Sequence, residues 1–260
     1  MNPMFSRTLK ALCVVVAIAM LSACGSSKTV DPFKPSRVIG LGDAYNDTSG
    51  TQSTVRGTGV ISTVVGQVAA LYGASTVESS ASSSYATTDD LLTQVAGLGP
   101  LSGTKDLVVI TAGTKEFLSG NDPSGTAFLA KLKLALDALK AKGAQHIVYM
   151  EVVDISPAGN FADPLNFNLT VKAGLGTYVD VARYGNMSRP SAYFPGWATA
   201  GPGATPYCNS PGTLDGCVLG DTPGTADVST YFLADNLNPT PVGNQWLGQQ
   251  LYNVTGQGWR

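Results

Sequence analysis

The chain is poor in histidine. A single imidazole, His146, serves 260 residues. It follows Gly143 at the expected start of a strand, so it reads as a structural surface residue on the amino edge of a sheet. Histidine is the commonest general base for a hydroxyl nucleophile, and no second one is present to take that role at the other edge. Basic clusters are missing as well. Lys and Arg number 16 against 18 Asp and Glu, a net charge of −2. That leaves no electropositive stripe for a nucleic acid, which is excluded as a partner. No apolar run is long enough for an ordinary membrane span; Ala11 to Leu21 is the length of a signal-peptide core. Cysteines number only four. Cys208 and Cys217 have no histidine or third cysteine nearby to complete a metal set. No metal and no cofactor is expected.

What is present begins with export. Arg7 and Lys10 precede the apolar run, which ends in Leu21-Ser22-Ala23-Cys24. Small residues before a cysteine form a bacterial lipobox. Cleavage before Cys24 would leave its thiol to carry diacylglycerol and its amine to carry a third acyl chain. Each buried methylene adds about 0.8 kcal/mol of membrane affinity, so such an anchor is firm. The alternative is an ordinary signal peptide with a chance cysteine. Gly25, rather than aspartate, follows the cysteine, which favours sorting to the outer membrane, on either face. Residues 1–23 thus read as a lipoprotein signal peptide and 24–36 as a lipidated tether with Pro32 and Pro35. Residues 37–260 read as one domain, expected to be a monomer. Cys13 leaves with the signal peptide and Cys24 takes lipid. Cys208 and Cys217 lie close together in a Gly/Pro-rich loop and are expected to form a disulfide outside the cytoplasm, with metal binding as the alternative.

The domain alternates strands and helices. Arg37 to Gly42 is a strand. Val60, Val64, Val68 and Leu71 give helical spacing over Gly59 to Leu71, ended by Gly73. Ser75 to Ser84 reads as a short strand and loop. Thr88-Asp89-Asp90 is expected to cap a helix through Ala96. Asp106 to Ala112 is a continuous apolar strand, as a parallel sheet covered on both faces requires. Ser124 is expected to cap a long helix to Lys142. His146 to Val153 is a strand, Leu165 to Ala173 a helix, and Tyr178 to Ala182 another strand. Asn186 to Thr230 is loop-rich. Pro239, or the residue before it, opens a last helix to about Tyr252. The pattern predicts an α/β fold, a three-layer α/β/α sandwich on a parallel sheet. Ligands of such sheets bind outside the carboxyl ends of the strands.

Three segments reach that edge. After the first strand the chain reads Gly42-Asp43-Ala44-Tyr45-Asn46-Asp47-Thr48. After Ala112 it reads Gly113-Thr114-Lys115-Glu116. Before the last helix it reads Asp235-Asn236-Leu237-Asn238-Pro239-Thr240-Pro241-Val242-Gly243-Asn244. Together these resemble the conserved blocks of the SGNH/GDSL hydrolases (esterases, lipases and deacylases), over most of Arg37 to Leu251. The resemblance implies the SGNH-hydrolase, flavodoxin-like fold. It is matched by Gly42, Asp43, Asp47, Thr48, Gly113, Asp235, Pro239, Thr240 and Gly243. It fails where the family keeps its chemistry. The nucleophilic serine falls at Ala44, the oxyanion asparagine at Lys115, and the catalytic histidine at Asn238. Glu116 stands for an aspartate and Asn244 for a second histidine. No glycine between Gly73 and Gly97 supplies the family's second-block donor, and Ser79 to Ser84 stand there instead. Gly120-Asn121-Asp122 copies the third block but falls a turn too late and reads as a plain loop.

Without nucleophile and base, the expectation is a hydrolytically inactive member acting as a binding module. Its ligand would be an envelope glycan, lipid or protein. Asp43, Tyr45, Asn46, Thr114, Lys115, Glu116, Asp235 and Asn238 are the cleft candidates, with Asp235 capping the last helix or pairing with Lys115. The alternative is an active esterase or deacylase with a rebuilt site, using Thr48 or Ser49 as hydroxyl and Lys115 or Glu116 as base. A lysine base there needs a pKa strongly lowered by burial, while Glu116 beside it favours the charged form.

Overall fold

The computed structural model describes residues 33–48, 63–81, 85–153, 164–176, 180–182, 232–233 and 239–258. The lipobox, Cys208, Cys217, Asp235, Asn238 and the loop 186–230 lie outside the described residues.

Five strands form one sheet in the order β2-β1-β3-β4-β5. They are β1 (Arg37–Gly42), β2 (Thr76–Ser79), β3 (Asp106–Thr111), β4 (His146–Met150) and β5 (Asp180–Ala182), and every pairing is parallel. Helices α1 (Val64–Tyr72), α2 (Thr88–Gly97), α3 (Thr114–Leu118), α4 (Thr126–Ala141), α5 (Leu165–Leu175) and α6 (Pro241–Gly258) join or follow them.

The two-residue period of a strand sorts side chains onto opposite faces. Val38, Leu107, Val109, Val148 and Met150 pack with Val64, Val65 and Val68 of α1 and Leu247 and Leu251 of α6. Ile39, Leu41, Val108, Ile110, Ile147 and Tyr149 pack on the other face. Their partners are Leu91 and Val95 of α2, Phe128, Leu132 and Leu136 of α4, and Phe167 and Val171 of α5. Both faces are covered, which is why β1 and β3 read as unbroken apolar runs. The α/β sandwich expected from the alternation is therefore the architecture found.

Helix ends follow local chemistry. Thr63 Oγ1 accepts from Gly66 N at 3.0 Å, and Gly73 at φ 65° closes α1. The cap of α2 is Thr87, one residue earlier than expected. Its hydroxyl accepts from Asp90 N at 3.2 Å, and Asp90 Oδ2 accepts from Thr87 N at 2.8 Å, a complete capping box. Asp90 is held below the usual carboxylate range, first by the Thr87 hydroxyl and then by the Thr87 amide.

Ser124 is only a minor cap of α4, its Oγ accepting from Thr126 N at 3.4 Å. The main cap is the carboxylate of Asp122, accepting from Thr126 N at 3.1 Å and from the buried Phe128 N at 2.7 Å. The Gly120-Asn121-Asp122 segment is a loop, as expected, and its Asp122 also caps α4. Thr240 Oγ1 accepts from Gly243 N at 3.0 Å and starts α6. Pro239 lies just before it, bridged to Leu233, and α6 runs on to Gly258, past the expected end.

The amino edge of the sheet is tied by an ion pair. Arg37 Nε donates to Asp106 Oδ1 at 3.0 Å, and its Nη2 to Oδ2; Nη1 reaches Glu78 at 3.3 Å. Burial pushes the Asp106 carboxyl up, but the Arg37 guanidinium and the Ser102 amide outweigh it and hold it below the ordinary range. His146 begins β4 and stacks on Phe33 with ring centroids 3.6 Å apart, at this same amino edge.

Candidate functional site at the carboxyl edge

Strand order reverses between β1 and β3, since the chain leaves β1 for β2 on one side and returns to β3 on the other. Open α/β sheets bind ligands in the crevice at such a switch point. Gly42 and Thr111, paired in register, end these two strands.

The turn after β1 is built on backbone contact. A Cβ at Gly42 would lie 1.8 Å from Thr111 O, and φ there is 97°, so only glycine fits. Asp43 N donates to Thr111 O at 2.6 Å. Gln94 of α2 clamps Gly42 from the helix side: its Oε1 accepts from Gly42 N at 2.6 Å and its Nε2 donates to Gly42 O at 3.2 Å. Sequence reading missed Gln94. The available signal was a polar residue on the core-facing stripe Leu91–Gln94–Val95, at i, i+3, i+4.

Ala44 begins a single 3-10 turn, Ala44–Asn46. The residue is 4% exposed, and its methyl side chain carries nothing that could attack a carbonyl. Tyr45 is buried in the α1-side core, edge-on to Tyr85. Asn46 is fully buried, its Nδ2 donating to Leu41 O at 3.0 Å and to Val109 O at 3.1 Å. Both were cleft candidates; their burial makes them part of the scaffold. Ser79, at the end of β2, donates its hydroxyl to Asn46 O at 2.6 Å and so braces the same turn. Thr48 is exposed in the turn, and Ser49 lies outside the described residues.

Asp43 and Glu116 converge on the entry to α2. Asp43 is fully buried, and its Oδ1 accepts from Ala86 N at 2.7 Å. Its Oδ2 is buried and completes no hydrogen bond. Burial pushes this carboxyl well above the ordinary range. The Ala86 amide and Thr114 oppose the shift, while Glu116 reinforces it. Glu116 Oε1 accepts from Thr88 N at 2.7 Å and from Thr88 Oγ1 at 3.0 Å, and its Oε2 is also buried without a hydrogen bond. Thr114 is buried and Lys115 is exposed, within electrostatic range of Asp90. Tyr149 donates to Ala112 O at 3.0 Å below this site. Burial first, then Glu151, Asp43 and Glu116, hold its phenol neutral by pushing its pKa well up.

From the third segment, Asn244 is buried in the first turn of α6, its backbone N–H donating to Thr240 O at 2.9 Å. Thr240 N donates to Phe232 O at 2.8 Å, beside the antiparallel bridge between Leu233 and Pro239. The pairing expected between Asp235 and Lys115 lies outside the described residues. Among the described residues no group of three or more His, Cys, Asp or Glu could hold a metal ion, and no helix is long and apolar enough to cross a membrane.

No protein-family model and no curated protein matches the chain. Solved structures do. A member of the lipolytic protein G-D-S-L family from Veillonella parvula superposes with a TM-score of 0.50 at 12% identity, over 84% of this chain and 97% of that one. The lipase/acylhydrolase from Enterococcus faecalis gives 0.50 at 14% identity, over 85% and 96%. At such identities the likeness carries the fold: the chain has an SGNH/GDSL-hydrolase-like α/β fold, as its sequence blocks suggested.

Proposed function

We propose that this SGNH/GDSL-like domain is a lipid-anchored binding module of the bacterial envelope, sorted to the outer membrane through Cys24. It hydrolyses no ester and binds an envelope glycan, lipid or protein at its carboxyl edge.

The observation that carries the reading is Ala44. It occupies the turn where the fold's nucleophile belongs, packed at 4% exposure in a 3-10 turn that Gly42, Asp43, Asn46 and Ser79 all brace. The turn is tightly built and carries no hydroxyl at Ala44. The one histidine begins β4 at the opposite edge of the sheet. General-base catalysis is worth about 10²–10⁴-fold and an oxyanion donor about 10²–10³-fold, and such groups act as a unit, so losing one member already cripples a site.

The test is ester turnover by the full chain in detergent, on p-nitrophenyl acetate and acetyl-xylan, with fluorophosphonate labelling alongside. The expected result is turnover at background and no labelled residue. Rapid labelling at Thr48, Ser49 or another single hydroxyl would overturn the reading in favour of a rebuilt hydrolase.

A further inference from the structure

The charges of the domain are sorted between the two edges of its sheet. Phe33 and Lys34 lead into β1, and Phe33 stacks on His146 at the start of β4. Ser36 N donates to Lys105 O at 2.9 Å, which sets the segment before β1 against the segment before β3. Leu101 N donates to Lys142 O at 2.8 Å, so the end of α4 joins the same amino edge. Lys34, Lys105 and Lys140 are exposed there, and Lys142 is half-buried. The Lys142 ammonium donates to Ala96 O at 3.3 Å and to Leu98 O at 2.5 Å, neutral acceptors that leave its charge uncancelled. Of the acids nearby, Asp106 and Glu78 are both bound to Arg37, and Asp137 lies a turn back on α4. Lys34, Lys105 and Lys142 enter no ion pair among the described residues. A helix C-terminus favours a cation, which suits Lys140 and Lys142. It does not account for Lys34 or Lys105, which precede strands. The carboxyl edge is the acidic one. Asp47, Glu116 and Glu151 follow the ends of β1, β3 and β4, and Asp89 and Asp90 are exposed in the first turn of α2.

We propose that the amino edge is the face the domain lays on the anionic phospholipid surface of the membrane that anchors it. The inference rests on the lipid anchor at Cys24 proposed above. Two separate features meet at this edge, its lysines and the entry of the tether. From Cys24 to Phe33 the chain has nine peptide links, about 30 Å when fully extended and about 17 Å on average as a flexible chain. With the amino edge down, Phe33 lies at the surface and the tether is slack. With the carboxyl edge down, β1 alone would lift Phe33 by about 20 Å, beyond the tether's average reach. Each lysine near an anionic surface favours that state about fivefold, and the exposed acids of the other edge oppose the inverted arrangement. The candidate cleft then opens away from the bilayer. No run of basic residues marks this edge in the sequence, because the parallel topology gathers residues 34, 105, 140 and 142 from separate segments.

The test is acylation of exposed lysines, read by peptide mass spectrometry, on the full chain mixed with an excess of preformed vesicles. One set is phosphatidylcholine with roughly a quarter phosphatidylglycerol, and the other is phosphatidylcholine alone. Lys115, exposed at the carboxyl edge, is the internal reference. On the anionic vesicles, labelling of Lys34, Lys105 and Lys140 should slow at least about fivefold against Lys115. The difference should vanish on the neutral vesicles, and also in 1 M salt, where the screening length falls to about 3 Å. The paired changes Lys34→Gln and Lys105→Gln, both at exposed positions, should weaken the protection read at Lys140. Equal labelling of the two edges on anionic vesicles overturns the proposal, as does slower labelling at Lys115. So does protection that persists on neutral vesicles or in salt, or Lys140 protection untouched by the paired changes. Intact mass reports lipid on Cys24 and so separates the two readings. If Cys24 carries none, the anchor reading fails, and the same labelling ratio on anionic vesicles still decides the amino edge, with no protection there overturning it.

Discussion

Gly42 has the least freedom of any residue at the site. A Cβ there meets a backbone oxygen, not a side chain that could swing away, and φ of 97° strains any L residue. Gly42→Ala should destabilise the chain by about 3 kcal/mol or more, or prevent folding, by urea denaturation of the full chain. Asp122→Ala should cost about 2 kcal/mol in the same assay, because it strands the buried Phe128 amide. Gly42 was legible in the sequence because the strand runs into a turn there. Asp122 was misread, because Ser124 and Asp122 are equally good cap residues and only the path of the chain decides which one reaches Phe128 N. Tyr45 and Asn46 were misplaced for a related reason. A polar residue in a turn after a buried strand can face water or can satisfy strand carbonyls, and local composition does not distinguish these. Burial is a tertiary fact.

At the scale of elements, the strands were the most legible parts, because apolar runs covered on both faces have few alternative readings. The helices followed from 3.6-residue spacing, but their ends were less legible: the cap of α2 falls one residue early, the first helix is Val64–Tyr72 rather than Gly59 to Leu71, and α6 runs past Tyr252 to Gly258. Helix α2 is the instructive case. Thr87 and Thr88 both carry hydroxyls, yet Thr87 closes the capping box while Thr88 gives its hydroxyl and amide to Glu116. One entry is therefore held twice, by its own cap and by a distant carboxyl. Thr87→Ala should cost about 1 kcal/mol by urea denaturation at pH 7. A loss within error would mean that Glu116 alone secures the entry. The stripe of α2 marks Gln94 as an odd polar residue, but sequence could not supply its partner, Gly42, 52 residues away.

At the scale of the molecule, the two edges of the sheet carry titrations of opposite sign. On the amino edge, Asp106 is held below the ordinary carboxylate range once the Arg37 guanidinium outweighs burial. Its contribution is present above the unfolded value and is lost as pH falls through the folded one. On the carboxyl edge, Asp43 is pushed above the ordinary range by burial. Its contribution is present below the unfolded value and is lost as pH rises toward the folded one. Stability against pH should therefore pass through a maximum, with an acid limb set at one edge and an alkaline limb at the other. The strand β1 between them has 6 residues, about 20 Å of extended chain, far enough for the two effects to add. Asp106→Asn should flatten the acid limb while lowering stability at neutral pH, because it unpairs Arg37. Asp43→Asn should flatten the alkaline limb and leave the acid one alone. The double variant should show both changes, summing within about 0.5 kcal/mol in urea midpoints taken across pH 3 to 9. A strongly non-additive result would mean that the two edges communicate through the sheet, and a single-sloped wild-type profile would mean that Asp43 does not set the alkaline side.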